Sequence, residues 1–236
     1  MRKDLEIIIL AAGKGSRMKT RIPKILNKLH NKTLINHVIE KSRKLKPSRI
    51  NIIVNKNLNS LQKKIPKINY IIQTRPLGTG HALKLYYKKT NNVKKYLVVL
   101  YADAPLINLK DILKIYKNLK KKNDLIVIGA EVNRNKSHGI IVKKSGKISK
   151  IVEFSNANTK EKKIKMCNTG VIGLKSKFLN LTSKIKKNKS KNEYLITDIV
   201  NIAYQKKLSI GLIKTRNSHK SFGVNTIDEL NRLKCL

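Results

Sequence analysis

Small residues and positive charges alternate in ILAAGKGSRMKTRIPKIL, residues 9–26. Gly13 and Gly15 let backbone amides approach a ligand closely, and Arg17 and Lys24 add cationic side chains. Amides and cations together can form a cradle for a polyphosphate. The spacing differs from the P-loop and from the dinucleotide fingerprint, since no G-x-x-x-x-G-K-[ST] is present and a third glycine is missing. A tight strand-to-helix turn would also explain the glycines, but such a turn needs no fixed cations.

A second glycine-rich segment, QTRPLGTGHA, spans Gln73–Ala82 between an apolar strand and a helix. Gly78 and Gly80 expose backbone amides, and the glutamine amide can read the edge of a base or hold a ligand carbonyl. A helix start capped by Thr79 would give the same pattern, so both interpretations stay open. His81 is interpreted as a hydrogen-bonded neighbour of the site, because no Ser-His-Asp arrangement accompanies it.

An acidic residue, Asp103, follows the most hydrophobic strand of the chain, in YADAPLI. A carboxylate there is costly unless it is paired or binds a cation. Because Mg²⁺ in phosphate sites is commonly held by one or two carboxylates and phosphate oxygens, Asp103 is a candidate metal ligand. A helix N-cap or turn aspartate is the alternative. Weaker candidates follow: Glu153 in IVEF, Asn168–Gly170 (NTG), Glu193–Asp198 (EYLITD) and Asn225 after SFGV.

The elements that must position these residues alternate between strands and helices. The predicted strands are Glu6–Ala12, Arg49–Val54, Ile68–Gln73, Tyr96–Tyr101 and Leu125–Val132. The predicted helices are Leu34–Leu45, Asn57–Lys64, Gly80–Lys89 and Leu109–Leu119. Strands separated by such helices imply right-handed βαβ units in a doubly wound sheet. Ligands of these sheets bind beyond the carboxyl ends of the strands, where the three segments lie.

The pattern changes in the last third of the chain. Gly139–Val142 and Ile148–Phe154 flank a Lys-Ser-Gly turn and predict a β-hairpin. The remaining predicted elements are the strands Lys165–Leu174 and Leu208–Lys214 and the helices Phe178–Ile185, Leu195–Gln205 and Thr226–Leu236. We therefore expect a β-rich lobe and further helices after the nucleotide-binding type of sheet.

The charge balance is extreme. The 236 residues include 54 Lys and Arg against 13 Asp and Glu, which gives a formal net charge of +41. Such an excess suggests nucleic acid or an anionic membrane surface. The lysines are, however, scattered among many asparagines and isoleucines, as an A/T-rich genome would produce without any anionic partner. Aromatic residues are 5% and Trp is absent, so the sequence predicts no specific nucleic acid partner, with a functional basic field as the alternative.

Cysteine content and hydropathy indicate the cellular location of the protein. Cys167 and Cys235 make neither a disulfide framework nor a zinc cluster, which favours a reduced, cytoplasmic location. The N-terminal MRKDLEIIILAAG resembles a buried strand more than a signal peptide. Because no apolar run reaches the length of a transmembrane helix, we expect no membrane insertion.

Taken in order, these segments resemble the sugar-phosphate nucleotidylyltransferases, and within them the N-acetylglucosamine-1-phosphate uridylyltransferases. LAAGKGSRM…PKIL resembles the signature loop, which cytidylyl- and guanylyltransferases share, whereas LGTGHA with EYLITDI is more specific to the N-acetylglucosamine branch. YADAPLI, GKI..IVEF.NA, CNTGVI and FGVN follow at matching positions. The resemblance covers essentially the whole chain. It implies a nucleotide-diphospho-sugar transferase fold, a Rossmann-like, doubly wound mixed α/β sheet with a small β-rich sugar-binding lobe.

The resemblance also implies roles for individual residues. Arg17 and Lys24 would hold the triphosphate and act in catalysis, while Asp103 and Asn225 would ligate Mg²⁺. The residues that would contact the nucleotide are Leu10, Ala11, Ala12, Gly13, Gln73, Gly78, Thr79, Tyr101, Ala102 and Asp103. The residues that would contact the amino sugar are Gly139, Glu153, Asn168 and Asn225.

The implied reaction transfers UMP from UTP to N-acetylglucosamine 1-phosphate, with Mg²⁺ as the cofactor. Residues 1–236 would form one nucleotidylyltransferase domain, with the nucleotide-binding part in 1–134 and the sugar-binding lobe and C-terminal helices in 135–236. Bifunctional members of the family continue into a left-handed β-helix with acetyltransferase activity, which we do not expect here. The oligomeric state is left open.

Several residues depart from the family pattern. Ala102 replaces a glycine, His138 and Ile140 replace a tyrosine and an arginine, and KNEYL at 191–195 stands where the family has QGEYY. A methyl group at residue 102 could crowd the nucleotide, and the other changes bear on sugar choice. A transferase for another sugar 1-phosphate is therefore one alternative, and a basic nucleic-acid-binding α/β protein is the other.

Overall fold

The computed structural model describes residues 1–58, 60–133, 135, 137–188, 192–216 and 221–235, except the side chains at 63 and 64. The strands are β1 Arg2–Ala11, β2 Lys28–Leu29, β3 Lys32–Thr33, β4 Pro47–Asn55, β5 Asn69–Gln73, β6 Tyr96–Tyr101, β7 Leu125–Glu131, β8 Ile140–Lys144, β9 Lys147–Val152, β10 Met166–Lys175, β11 Lys187–Asn188, β12 Glu193–Tyr194 and β13 Ile210–Lys214. The α-helices are α1 Leu34–Lys44, α2 Leu61–Lys64, α3 Thr79–Lys89, α4 Leu109–Lys121, α5 Thr159–Lys162, α6 Asp198–Gln205 and α7 Ile227–Lys234. Segments of 3₁₀-helix lie at Ser16–Met18, Lys24–Leu26, Lys56–Leu58, Phe154–Asn156 and Ser176–Lys184.

A mixed sheet runs through the centre of the molecule in the order β13-β7-β10-β6-β1-β4-β5. The pairs β1–β4, β1–β6, β4–β5 and β7–β13 are parallel, whereas β10 is antiparallel to both β6 and β7. The hairpin β8–β9 extends the sheet from the start of β10. This arrangement confirms the predicted doubly wound mixed sheet.

Apolar residues of the central strands bury both faces of the sheet. In β1, Ile7 and Ile9 belong to the core on one face, which α1 covers with Ile35. Ile8 belongs to the core on the other face, which α3 covers with Leu83. The alternation follows from the two-residue period of a strand, and burial on both faces explains why these strands are apolar throughout.

The predicted helix Phe178–Ile185 is wrong in type, since Ser176–Lys184 forms a 3₁₀-helix. The Thr182 hydroxyl donates to the Leu179 carbonyl at 2.7 Å, and the Ser183 hydroxyl donates to the Asn180 carbonyl at 2.7 Å. Hydroxyl side chains that bond nearby carbonyls compete with the α-helical ladder, which explains the tighter turn.

Other differences concern boundaries. The helix predicted over Leu195–Gln205 begins only at Asp198. The helix predicted over Asn57–Lys64 is divided into Lys56–Leu58 and Leu61–Lys64, with residue 59 outside the described residues. The predicted end of the last helix, residue 236, also lies outside them. The hairpins β2–β3 and β11–β12 were not predicted, because strands of two residues carry no periodic signal.

The topology brings the ends of several strands to one edge. Parallel strands β1, β5 and β6 end there at Ala11, Gln73 and Tyr101, and the antiparallel β10 begins there at Met166. The three predicted loops therefore leave the same edge of the sheet, those after β6 and β1 side by side and that after β5 beyond β4. Among the residues that the structure describes, no helix is both long and apolar enough to cross a membrane.

Candidate active site

A cavity of about 660 Å³ opens at this carboxyl edge. Its walls come from the loops after β1, β5 and β6, from residues 137–139 and 168–170, and from Phe222, Gly223 and Asn225. It is lined by all but one of the residues predicted to act in the site, namely Leu10, Ala11, Ala12, Gly13, Arg17, Lys24, Gln73, Gly78, Thr79, Tyr101, Asp103, Gly139, Glu153, Asn168 and Asn225. The exception is Ala102.

Ala102 lies behind the cavity wall. Its side chain is 1% exposed and belongs to the hydrophobic core, and its backbone N–H donates to the Leu10 carbonyl at 3.0 Å. The methyl group that replaces the usual glycine hydrogen therefore packs inward and does not line the space where a ligand would lie.

The first loop is shaped by a glycine and anchored by a methionine. Gly15 has φ +65°, and a Cβ there would come within 2.5 Å of the Lys24 Cβ, so the close approach of the lysine stem requires glycine. Met18, which occupies the place of a third glycine, is 2% exposed and packs with Leu29, Leu34 and Val224. Packing of Met18 thus fixes the loop and leaves Arg17 directed toward the cavity.

Two cations meet two oxygen-bearing side chains inside the cavity. The Lys24 ammonium forms an ion pair with Asp103 Oδ2 and donates to Asn225 Oδ1 at 3.0 Å. The Arg17 guanidinium donates to the same Asn225 oxygen at 2.9 Å. The side chains of Lys24 and Asp103 are 12% and 18% exposed, so this ion pair is largely shielded from bulk water, whereas Arg17 is exposed.

The segment before α7 carries Asn225 to Asp103. The Val224 N–H donates to the Asp103 carbonyl at 2.8 Å, and a Cβ at Gly223 would come within 2.6 Å of Asp103 Oδ1. The Glu229 carboxylate accepts from the Asn225 N–H at 2.5 Å, and the Asn225 amide donates to the Gly223 carbonyl at 3.2 Å. These bonds fix the Asn225 side chain with its oxygen toward the cavity.

The oxygens of Asp103 and Asn225 fit a small cation. Both contact one ammonium group in this structure, so they converge on a position that a cation can occupy. Among the described residues, no group of three or more His, Cys, Asp and Glu side chains could hold a metal. Two oxygen ligands, with the others left to phosphate and water, are the arrangement in which Mg²⁺ is usually bound.

Gln73 is held by its amide nitrogen. Its Nε2 donates to the Gly78 carbonyl at 3.2 Å and lies 2.7 Å from His81 Nδ1. Burial lowers the pKa of the His81 imidazole below its ordinary value, which favours the neutral ring that accepts this bond. Within the described part of the chain, the Gln73 oxygen has no such partner and is the group left for a ligand. His81 is therefore a hydrogen-bonded neighbour of the site, as predicted, and its bond orients Gln73.

The second glycine segment is clamped by the chain around β12. Gly78 has φ +100°, and a Cβ there would lie 2.5 Å from the Tyr194 carbonyl oxygen. The Tyr194 N–H donates to the Leu77 carbonyl at 2.8 Å, and the Thr79 hydroxyl accepts from the Ile196 N–H at 3.0 Å. The alternative in which Thr79 caps α3 is wrong, because Gly78 occupies the N-cap and the hydroxyl bonds a distant backbone.

The opposite wall contains the residues predicted to bind sugar. The Asn168 N–H donates to the Gly139 carbonyl at 2.7 Å, and the Asn168 side chain accepts from the Gly170 N–H at 3.1 Å. Gly170 has φ +95°, and a Cβ there would come within 2.9 Å of the Tyr101 ring. Glu153 lines the cavity beside Gly139. The backbone hydrogen bond thus holds Gly139 and Asn168 next to each other in this wall.

A ring stack at the cavity was not predicted from the sequence. The rings of His138 and Phe222 stack at a centroid distance of 3.9 Å and an angle of 20°, which joins the sugar-side wall to the segment that carries Asn225. Burial lowers the pKa of the His138 imidazole, while the Glu229 carboxylate opposes that shift. The only sequence signal was that each ring precedes a motif glycine, in SHG and SFG.

Residues 7–164 match the family described as MobA-like NTP transferase domain. The chain is 35% identical to the bifunctional protein GlmU of Buchnera aphidicola subsp. Schizaphis graminum (strain Sg), across 99% of this chain and 51% of that protein. It is 36% identical to the bifunctional protein GlmU of Wigglesworthia glossinidia brevipalpis, across 98% of this chain and 52% of that protein. The chain therefore spans about half the length of the curated relatives it matches.

A solved structure, that of a UDP-glucose pyrophosphorylase complexed with UDP-glucose, superposes with a TM-score of 0.76. The match covers 100% of this chain and 98% of that protein at 20% sequence identity. At this identity the likeness shows the fold alone, and it confirms the fold that the motifs indicated.

Proposed function

Because this chain belongs to the MobA-like NTP transferase domain family, we propose that it transfers the uridylyl group of UTP to N-acetylglucosamine 1-phosphate. The products would be UDP-N-acetylglucosamine and pyrophosphate. The observation that carries the proposal is the convergence of Lys24, Arg17, Asp103 and Asn225 in a cavity that also contains the Gln73 and Gly78 segment. Two relatives named GlmU, aligned over nearly the whole chain, support the choice of substrates.

The nucleoside would lie against the loops after β1 and β5. Ala11, Ala12 and Gly13 present small side chains there, which leaves room for a planar base and a ribose. The Gln73 oxygen is available as an acceptor for a base N–H, and Gly78 brings backbone close to the base edge. A site built to bond a base edge discriminates strongly against bases that cannot make those bonds.

The phosphates would meet the two fixed cations. The sugar phosphate oxygen is already anionic, so its in-line attack on the α-phosphorus needs no general base, and pyrophosphate leaves with the bonding electron pair. The main obstacle is the repulsion between two polyanions. Arg17 and Lys24 would lower it by holding phosphate oxygens, so positioning and charge neutralisation supply most of the acceleration.

Asp103 and Asn225 would hold Mg²⁺ through Oδ2 and Oδ1. When bound, Mg²⁺ supplies positive charge between the phosphates of the two substrates. The Gly223 and Glu229 contacts would keep the Asn225 oxygen directed at this position during turnover.

The amino sugar would bind between Gly139, Glu153 and Asn168, across the cavity from the nucleotide. We assign residues 1–134 to nucleotide binding and 135–236 mainly to the sugar and to the helix that supports Asn225. His138 and Phe222 would border the sugar, so the departure from the family at His138 bears on sugar choice rather than on the chemistry of the phosphates.

A coupled pyrophosphate-release assay tests the proposal. UTP is paired with N-acetylglucosamine 1-phosphate or with glucose 1-phosphate, and CTP replaces UTP as a base control. We expect pyrophosphate and UDP-N-acetylglucosamine in equal amounts, with kcat/KM for glucose 1-phosphate at least about tenfold lower. Absence of both products would contradict the proposal, and a preference for glucose 1-phosphate would identify the other sugar transferase instead.

A DNA-binding measurement on the same protein tests the nucleic-acid alternative. Affinity for random duplex DNA is measured against salt concentration, because binding by counterion release falls steeply as salt rises. We expect any DNA binding to be weak at physiological salt and to leave pyrophosphate release unchanged. Tight binding with a steep slope and no turnover of UTP would favour the alternative.

A further inference from the structure

We propose that the Lys24 ammonium acts as an internal counter-ion that holds the cation position between Asp103 and Asn225, and that it leaves this position when a divalent cation and nucleotide bind. The proposal rests on the proposed function, since that function places Mg²⁺ at the same two side chains. It adds a second state and a second role for Lys24.

The contacts of Lys24 define the first state. Its ammonium pairs with Asp103 Oδ2 and lies 3.0 Å from Asn225 Oδ1, so both proposed metal ligands are engaged by one cation. Mg²⁺ requires oxygen ligands at about 2.0–2.1 Å in near-octahedral geometry. A divalent cation bound by the same two oxygens would occupy nearly the same space as the ammonium, and two cations so close repel each other strongly. Metal and ammonium therefore exclude each other.

The path of Lys24 is restricted at its base and free at its tip. A Cβ at Gly15 would come within 2.5 Å of the Lys24 Cβ, so the loop holds the stem closely. The outer methylenes retain the rotamer freedom of a lysine, and the adjoining cavity of about 660 Å³ provides room for the ammonium. Arg17 donates to the same Asn225 oxygen. The displaced ammonium can therefore reach phosphates bound beside Arg17.

Exchange of the two cations makes metal and nucleotide binding cooperative. A divalent cation alone must displace an ammonium that then gives up its ion pair with Asp103. When a triphosphate is present, the ammonium gains a phosphate as its anionic partner as it leaves Asp103. The binding free energy of the divalent cation therefore differs between the free protein and the protein with bound triphosphate. By linkage, the metal and the triphosphate each raise the affinity for the other.

Direct binding of Mn²⁺, followed by the electron paramagnetic resonance signal of the free ion, tests this exchange. The wild type is compared with Lys24→Met, with and without UTP. The matched control is Lys14→Met, which removes one charge from a residue lining the same cavity. Without UTP, we expect Lys24→Met to bind Mn²⁺ at least about tenfold more tightly than the wild type, a change of roughly 1.4 kcal/mol, and Lys14→Met to change affinity by less than about threefold. With UTP, the advantage of Lys24→Met should shrink.

Three results would overturn the exchange: Lys24→Met binds Mn²⁺ no more tightly than the wild type, Lys14→Met gains as much, or Lys24→Met combined with Asp103→Asn still binds tightly. Should Lys24→Met fold poorly by circular dichroism, Lys24→Gln takes its place. Thermal unfolding gives a second readout, because Mn²⁺ should raise the Tm of Lys24→Met more than that of the wild type. Failure of the proposed function is distinguishable, since it would abolish UDP-N-acetylglucosamine formation by the wild type and leave the Mn²⁺ comparison intact.

Discussion

Two carboxylates of the same sheet each pair with a cation, at opposite ends of the strands. Toward the amino end, the Glu6 carboxylate in β1 is fully buried and pairs with Arg49. At the carboxyl end, the Asp103 carboxylate follows β6, is 18% exposed and pairs with Lys24. In a chain with 54 Lys and Arg, an ion pair by itself carries little information, so the surroundings of each pair decide what it does.

The Glu6 carboxylate is saturated with donors. Arg49 and the Lys94 N–H donate to Oε1 at 2.5 Å and 3.0 Å, while the Asn51 amide, at 3.1 Å, and the Tyr86 hydroxyl donate to Oε2. These donors come from β4, α3 and the segment before β6. A buried charge with every lone pair engaged stabilises the sheet and has no acceptor left for a ligand.

The Asp103 carboxylate is bonded much less completely. Among the described residues its side chain has one partner, the Lys24 ammonium, which rests on a flexible stem inside an open cavity. Gly223, which has no side chain, faces its other oxygen. A single partner on a flexible stem and an oxygen left open therefore distinguish Asp103 from the fully bonded Glu6.

The largest expected effect is that of Asp103→Asn on turnover. The amide keeps the shape of the side chain but removes the charge that holds the cation, so kcat should fall by at least about 10³-fold. Steady-state pyrophosphate release measures it. Glu40→Gln, in the exposed pair with Lys32, is the control and should leave kcat within about twofold. A kcat near that of the wild type for Asp103→Asn would remove the distinction between the two carboxylates.

Glu6→Gln should produce the opposite pattern. An amide has one acceptor oxygen for four donors, and breaking a buried ion pair by changing one partner costs about 3 kcal/mol or more. Urea denaturation should show this loss of unfolding free energy, while kcat at a temperature where the variant is folded stays within about threefold. A fully stable variant, or a folded variant without activity, would show that the role of Glu6 is not structural.

Lys41 links α1 to the Asp103 loop and gives a smaller, pH-dependent effect. Its ammonium donates to the Pro105 carbonyl at 2.6 Å, and burial, with a contribution from Lys44, lowers the pKa of Lys41 to about 8. Between this pKa and the unfolded value of about 10.4, the unfolded chain binds more protons, so raising the pH stabilises the fold through this residue.

The test is the difference in unfolding free energy between the wild type and Lys41→Met. The wild type should gain on the order of 1 kcal/mol relative to the variant from pH 8 to pH 10.5, because solvent screening weakens the burial effect. Well below the pKa of Lys41 the difference should be constant, because the folded and unfolded chains then bind the same proton. If the difference in unfolding free energy stays flat or falls above pH 8, the pKa of Lys41 is not lowered in the folded protein.

The smallest effect should come from Ala102→Gly. Since the methyl group packs in the core and does not line the cavity, KM for UTP should change by less than about twofold. Unfolding free energy should fall by about 1 kcal/mol, from the lost packing and the freer backbone. A several-fold decrease in KM would instead mean that the methyl group crowds the nucleotide.

Elements with strong local patterns were predictable from the sequence. The strand β6 is buried on both faces and therefore shows a continuous apolar run, whereas α1 is buried on one face and shows a 3.6-residue periodicity. Both patterns correspond closely to the structure. The antiparallel direction of β10 left no such pattern, nor did the 3₁₀-helix Ser176–Lys184, where side-chain hydroxyls override apolar spacing.

The residues that line the cavity were predictable, but their contacts were not. Arg17, Lys24, Asp103 and Asn225 were each identified from motif resemblance. The bond between Lys24 and Asn225 joins residues 201 positions apart, and only the folded chain brings them together. The donors around Glu6 lie 43 to 88 positions from it along the chain, so the sequence could not show which acid is fully bonded and which is left open to a ligand.

A crystal structure with UDP-N-acetylglucosamine and Mn²⁺ would locate both the metal and the Lys24 ammonium relative to Asp103. We expect an anomalous peak for Mn²⁺ in contact with the Asp103 and Asn225 oxygens, the diphosphate beside Arg17, and the Lys24 ammonium moved from Asp103 to phosphate. Glu6 and its four donors should be unchanged. A nucleotide sugar bound outside this cavity, or Mn²⁺ bound away from Asp103 while Lys24 keeps its ion pair, would contradict the account.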